Sequence, residues 1–476
     1  MMKRDPSLGG GALRRVVTAT LLILAGSGVA AAEVPIVTRA PAVGKMFLAA
    51  PISLDTAGYT EKELFMSGVA NRYRFANSLA NADVMDSGHP YKTRLIVRAP
   101  KDPTKFNGIV VVEWLNVTTK QDGDFVFGPA HDYLLRDGYA YVGVTVQRTG
   151  IAALHRMNGP RYAGLSLDAP NTDTDGKIID PENFGSLGGD VLSWDVWTQV
   201  GEQIKAGKIL GGLKIKQMIA SGQSQSAGKL TTYYNSIHPL KPVYDAFIFY
   251  DRAGPLRTDI DTKSIAVGTE FFSNFQGTPP ADTATHRWWE IAGASHNSYR
   301  EIADYVDLSF RQDAANRDPN GKPLSLSDII VAGQCVSMPI WSRVPNGFVL
   351  SAAFEAIKNW LTSGKAPPAR DRLVMDANGK TKRDANGLVD GGIRTATYTV
   401  PNGINVGVNT GGGFCMLAGS HKDFTEKQMC ERYMSQGNYV AQFAGALDAD
   451  VARGVLLRPD ADTLLTEAKA VKFQCS

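Results

Sequence analysis

Cysteine is scarce in this 476-residue chain: there are four, none before Cys335, and no C-x-x-C pair among them. That excludes the zinc-ribbon and thioredoxin-type motifs, which need two such thiols close together. No apolar run approaches the ~18 residues a membrane-spanning helix requires. Charge of one sign is missing too. The net charge is +3, and residues 1–32 contain four basic residues (Lys3, Arg4, Arg14 and Arg15) against one acid, Asp5, so the remainder is close to neutral. A near-neutral surface gives no electrostatic reason to bind nucleic acid or an anionic membrane. The expected partner is a small molecule, with no stable membrane anchor.

What is present suits a large globular enzyme. Hydrophobic residues make up 43% and charged residues 20%, enough to fill a sizeable core. The first 32 residues read as a cleaved export signal: basic residues, a short apolar stretch from Val16 to Leu24, then Ala30-Ala31-Ala32 before Glu33. Cleavage near Ala32 would release residues 33–476 into the periplasm or medium, where an even cysteine count suggests disulfides. Of three possible connectivities, the expectation is Cys415 with Cys430 and Cys335 with Cys475.

Between Asn107 and Ala292 short apolar runs alternate with longer amphipathic ones, the pattern of a mostly parallel sheet flanked by helices. Strands are expected at 109–112, 139–146, 217–220, 244–250, 264–268 and 287–292, with an antiparallel edge strand at 93–97. Helices are expected at 130–136, 192–204, 225–236 and 350–361. The class is therefore α/β, with a core over about 90–365. Residues 366–476 form a C-terminal elaboration whose turns include Asp376-Ala377-Asn378-Gly379 and Asp384-Ala385-Asn386-Gly387.

Gly222-Gln223-Ser224-Gln225-Ser226 follows the apolar run Met218-Ile219-Ala220 and precedes a helical segment. A serine hydroxyl becomes an effective nucleophile only on a sharp, exposed strand-to-helix turn beside a base, and this stretch is a near match to G-x-S-x-G with Ser226 in the last glycine's place. Ser224 is the candidate nucleophile. His296, on the loop Gly293-Ala294-Ser295-His296 after the last parallel strand, is the candidate base, because open parallel sheets build their sites at the carboxyl edge. For the acid, Glu270 is favoured, since it follows the strand preceding the histidine strand; Asp251, which also ends a strand, is the alternative. The backbone N–H groups of Gln225 and Asn116 are the expected oxyanion donors.

The segments Glu113-Trp114-Leu115-Asn116-Val117, Gly222 to Ser226 and Asp180-Pro181 with Gly185-Ser186-Leu187 resemble those of a bacterial and fungal family of alpha/beta hydrolase domain proteins. The likeness runs from about Asn107 to the C-terminus and implies an α/β-hydrolase fold and a serine triad without a cofactor. Where that family often has Thr-Glu-Thr-Asp, this chain has Thr269-Glu270-Phe271-Phe272, leaving Glu270 as the matching acid.

Two further readings follow from the sequence. Asn171-Thr172-Asp173-Thr174-Asp175-Gly176 with Glu182 has the oxygen spacing of a calcium loop, although Pro170 and Pro181 interrupt its flanks. Trp114, Trp194 and Trp197, with the insert 154–184, are expected to wall an apolar pocket. The reading that absorbs most residues is an exported serine hydrolase of carboxylic esters. A lactonase, amidase or acyltransferase would use the same triad, and a non-catalytic binding protein or a calcium-stabilised scaffold on the same fold are the rivals from other classes.

Overall fold

The computed structural model describes residues 34–475 apart from 184, 253, 277, 278, 280, 314, 315 and 386. The expected signal at 1–32, Phe184 of the insert and Asn386 of the second turn lie outside the described residues.

Nine strands form one sheet: β1 (Ile36–Arg39), β2 (Tyr59–Arg74), β3 (Asp83–Pro100), β4 (Ile109–Trp114), β5 (Ala140–Val144), β6 (Gln217–Gln223), β7 (Ala246–Tyr250), β8 (Lys263–Thr269) and β9 (His286–Ile291). Their spatial order is β1-β2-β3-β5-β4-β6-β7-β8-β9. The six strands from β5 to β9 are parallel, and β3 joins β5 antiparallel. Every residue of β4, β5 and β7 is buried, which explains their unbroken apolar runs: helices cover both faces. Alternate residues feed opposite cores. Ile109 and Val111 pack with the helices Phe127–Arg136 and Asn346–Ser363, whereas Val110, Val112 and Trp114 pack with Ser193–Lys205.

Four sequence expectations need correction. The 93–97 segment is not an edge: it lies inside β3, with β2 and β1 beyond it, so the sheet begins at residue 36 rather than near 90. Its apolar alternation is masked by Arg94 and Arg98, which are fully buried because Asp122 and Asp124 pair with them at 2.7 and 2.6 Å. Trp114, Trp194 and Trp197 do not line the cavity beside Ser224; they pack against one another in the core at tilted angles, with Trp114 5.6 and 5.2 Å from the other two ring centroids.

The disulfides pair Cys335 with Cys415 and Cys430 with Cys475, not as expected. Packing decides this. The turn after the helix Leu326–Val331 is bonded to the 410–412 segment through Gly412 N–H to Gly333 O and Val336 N–H to Thr410 O, each at 2.8 Å, bringing Cys335 against Cys415. Gln474 N–H donates to Glu426 Oε1 at 2.6 Å and holds the tail beside the helix that carries Cys430.

The calcium-like loop is a self-contained turn. Asp173 Oδ1 accepts the N–H groups of Asp175 and Lys177, both at 2.9 Å, and the same pattern recurs at Asp318 and Asp376. The D-x-[DN]-G spacing is thus the signature of a tight hairpin whose aspartate is spent on backbone donors. Among the described residues no cluster of His, Cys, Asp and Glu is grouped to hold a metal ion, and no helix is long and apolar enough to cross a membrane.

Candidate active site

Ser224 sits where β6 meets the helix Gln225–Thr232, with φ 58° and ψ −120°. A non-glycine residue in that region is strained, and such strain persists only where the surroundings hold it. Gly222 permits it: a Cβ there would stand 3.1 to 3.2 Å from the backbone of Ser226 and Ala227. Ser226, in the usual glycine's place, is fully buried and braces the turn, since its Oγ accepts from Gln223 N–H (3.1 Å) and donates to Gln223 O (2.9 Å).

The sheet register aligns the rest. Gln223 is level with Tyr250 and Tyr250 with Val267, so Ser224 stands beside Asp251, one strand over, and Ser224 N–H donates to Tyr250 O at 2.9 Å. Asp251 is fully buried and also takes a positive φ of 50°. Its Oδ1 accepts from Thr269 N–H and Thr269 Oγ1, each at 2.7 Å, and its Oδ2 accepts from His296 Nδ1. Since a carboxylate is only an acceptor, Nδ1 carries the proton and Nε2 the lone pair.

Glu270, the favoured acid, is elsewhere. It lies two residues beyond the level of Asp251, where β8 has already turned into the helix Glu270–Gln276. Its buried carboxyl pairs with Arg383 and accepts from Thr381 Oγ1 and Gly407 N–H, both at 3.3 Å. Burial raises its pKa, which Arg383 opposes. Its work is to fasten the C-terminal elaboration to the sheet.

The histidine loop is fixed from behind. His296 N–H donates to Leu417 O at 3.2 Å, and Asn346 Nδ2 donates to Ser295 O at 2.6 Å. Glu301 accepts from Ser298 N–H (3.0 Å) and Tyr250 OH (3.1 Å), and burial pushes its carboxyl up to about 7. Phe271 packs against the imidazole with ring centroids 5.0 Å apart.

On the other side of Ser224, the loop after β4 is held by buried ion pairs and a buried carboxyl. Besides the Arg94–Asp122 and Arg98–Asp124 pairs, Glu113 accepts the N–H groups of Val126 and Phe127 at 2.8 and 2.9 Å. Asn116 is in this loop, but its N–H is not free: it donates to Gly123 O at 3.0 Å. Its side chain instead donates to Gln223 O at 2.8 Å and to Gln223 Oε1 at 3.3 Å. The adjacent Val117 N–H has no partner among the described residues. As the first residue of its helix, Gln225 has an N–H with no intrahelical acceptor.

Ser224 and His296 open into one small cavity. Thr118, Thr119 and Asn297 line its polar side, each with a buried side-chain oxygen lacking a protein partner. Leu326, Ile330, Phe414 and Leu417 form an apolar roof, stapled together by the Cys335–Cys415 disulfide. Among the described residues none of the insert 154–184 lines the cavity. Asp180 acts at a distance, accepting from Lys229 of the helix Gln225–Thr232 at 2.8 Å.

Sequence reasoning did not single out Gln223, whose Nε2 lies 3.1 Å from His296 Nε2. Its place directly before the serine was the available signal. Among the described residues Ser224 Oγ itself makes no hydrogen bond, to His296 or to any other group.

Solved structures of similar fold include an alpha/beta serine hydrolase without lid from Xanthomonas campestris, at 11% identity over 38% of this chain and 66% of that one, with a TM-score of 0.24. A rice cell wall degrading esterase from Xanthomonas oryzae matches at 10% over 45% and 43%, TM-score 0.21. A glucuronoyl esterase from Solibacter usitatus matches at 8% over 48% and 66%, TM-score 0.25. The matches thus span less than two thirds of those chains. Among curated proteins no relative matches. The decisive comparison is with a family model that covers nearly the whole molecule: over residues 32–466 the chain matches the alpha/beta hydrolase domain, and it belongs to that family.

Proposed function

We propose that the protein is an exported serine hydrolase that cleaves a carboxylic ester through an acyl-enzyme on Ser224. The observation that carries the reading is the convergence on one cavity of a strained serine, whose hydroxyl has no partner among the described residues, and an Asp251-bound histidine. Ser224 Oγ attacks the ester carbonyl while His296 Nε2 takes its proton, and the imidazolium that forms is stabilised by Asp251. His296 then protonates the departing alkoxide. Water, deprotonated by the same nitrogen, attacks the acyl-enzyme, and Ser224 recovers its proton as the acid leaves.

The oxyanion is held by the N–H groups of Gln225 and, in place of the engaged Asn116 N–H, of Val117. Each such donor is worth about 2.7 to 4 kcal/mol in the transition state. The apolar roof and the polar floor favour a short acyl or alcohol part that carries a hydrogen-bonding group. Two disulfides are compatible with an oxidising compartment.

The test is fluorophosphonate labelling of the purified protein, alongside hydrolysis of p-nitrophenyl esters of graded acyl length. The wild type should label at Ser224 and turn over the shorter esters. Ser224→Ala should do neither while keeping its circular dichroism, and residual turnover by that variant would exclude the assignment.

A further inference from the structure

We propose that Gln223 is a latch on the general base: in the substrate-free protein its carboxamide occupies the imidazole lone pair that has to receive the Ser224 proton. The proposal rests on the serine-hydrolase reading. The direction of every hydrogen bond in the chain leading to it is fixed. Thr118 N–H donates to Asn116 Oδ1 at 2.8 Å, so Asn116 turns Nδ2 the other way, toward Gln223 O (2.8 Å) and Gln223 Oε1 (3.3 Å). With Oε1 accepting, Gln223 presents Nε2 to His296 Nε2 at 3.1 Å. That ring nitrogen is the acceptor because Nδ1 donates to Asp251. Flipping the carboxamide would set Gln223 Nε2 against Asn116 Nδ2, two donors facing each other. The Thr118 N–H at one end and the Asp251 carboxylate at the other therefore set the orientation of the whole series.

The consequence falls on Ser224. Attack requires the Oγ–H bond to break and an Nε2–H bond to form, while an Oγ electron pair makes the new bond to the carbonyl carbon and the C=O pair moves onto oxygen. None of this starts while an amide N–H fills the Nε2 lone pair. Ser224 Oγ, which in a ready site would donate there, has no partner among the described residues. Release is cheap, because Gln223 stays anchored through its main-chain carbonyl to both Asn116 Nδ2 and Ser226 Oγ. Only the side-chain bond to the imidazole and the long 3.3 Å contact are given up.

A latch and a structural brace predict opposite outcomes. Gln223→Met keeps the length of the side chain and removes the donor. It should label with fluorophosphonate, and hydrolyse a p-nitrophenyl ester by kcat/KM, about two- to tenfold faster than wild type, the factor carried by one neutral hydrogen bond. KM should change little, and Gln223→Leu should behave alike. A folded variant that labels at the wild-type rate or slower overturns the latch. The wild type supplies an independent readout: the ¹⁵N resonance of His296 Nε2 should be that of a hydrogen-bonded acceptor, and the position of an unbonded imidazole nitrogen would also overturn it. If wild-type Ser224 takes no label at all, it is the hydrolase reading that fails.

Discussion

Replacing Asp251 by asparagine isolates the role of the buried acid. The carboxylate has two sides: Oδ1 receives Thr269 N–H and Thr269 Oγ1 at 2.7 Å each, and Oδ2 receives His296 Nδ1. A backbone N–H can only donate, so the asparagine must keep its oxygen toward Thr269 and turn its NH2 toward the imidazole. Two donors then face each other unless the ring proton moves from Nδ1 to Nε2. That move removes the lone pair that Ser224 needs. In serine proteases, loss of the correct tautomer costs about 10⁴-fold in kcat, or about 5 kcal/mol of barrier. Asp251→Asn should lose activity on that scale, measured as kcat on a p-nitrophenyl ester and as the rate of fluorophosphonate labelling. Glu270→Gln is the control. Its carboxyl meets Arg383, Thr381 and Gly407, so the variant should lose about 1–3 kcal/mol of stability in urea with activity near wild type. Retention of activity within tenfold by Asp251→Asn, or a collapse of activity in folded Glu270→Gln, would refute the reasoning.

The remaining predictions concern what holds the site in place. Ser226→Gly should restore the usual motif yet cost about 1–3 kcal/mol in urea unfolding, because the buried Gln223 N–H loses its acceptor at 3.1 Å. Arg94→Met, which leaves the buried Asp122 carboxylate without its cation, should cost about 3–5 kcal/mol by the same measurement. Glu113 should make stability fall as pH rises. Burial, and next the charge of Asp124, push its carboxyl from 4.5 up to about 8. The folded chain thus keeps a proton that the unfolded chain releases. The contribution is full below pH 4.5 and is lost as pH rises through about 8. Glu113→Gln should flatten the stability profile between about pH 5 and pH 8; an unchanged slope would show that Glu113 is ionised in the folded chain.

The two disulfides are compatible with export. One staples the cavity roof from segments 80 residues apart, and the other ties down the C-terminal tail. Closing long loops in this way restricts the unfolded chain most. The roof over Ser224 therefore depends on an oxidising compartment more than the sheet beneath it does.

The sequence by itself determined whatever depends on neighbours along the chain. The six parallel strands were legible because residues buried on both faces must read as short apolar runs, as in Val110-Val111-Val112 and Phe247-Ile248-Phe249. The turn at Ser224 was legible because Gly222 and Ser226 act on it from two residues away on either side. His296 was legible as a residue on the loop beyond the last strand. Only the tertiary structure decided which of Asp251 and Glu270 meets His296, since they end adjacent strands and look alike in sequence: the β6–β7 register sets Asp251 level with Ser224, and β8 bends into a helix before Glu270 can reach the histidine. Cysteine pairing, the engagement of Asn116 N–H by Gly123 and the contact of Gln223 with His296 were equally hidden. Each joins groups whose separation in the chain carries no information about their separation in space.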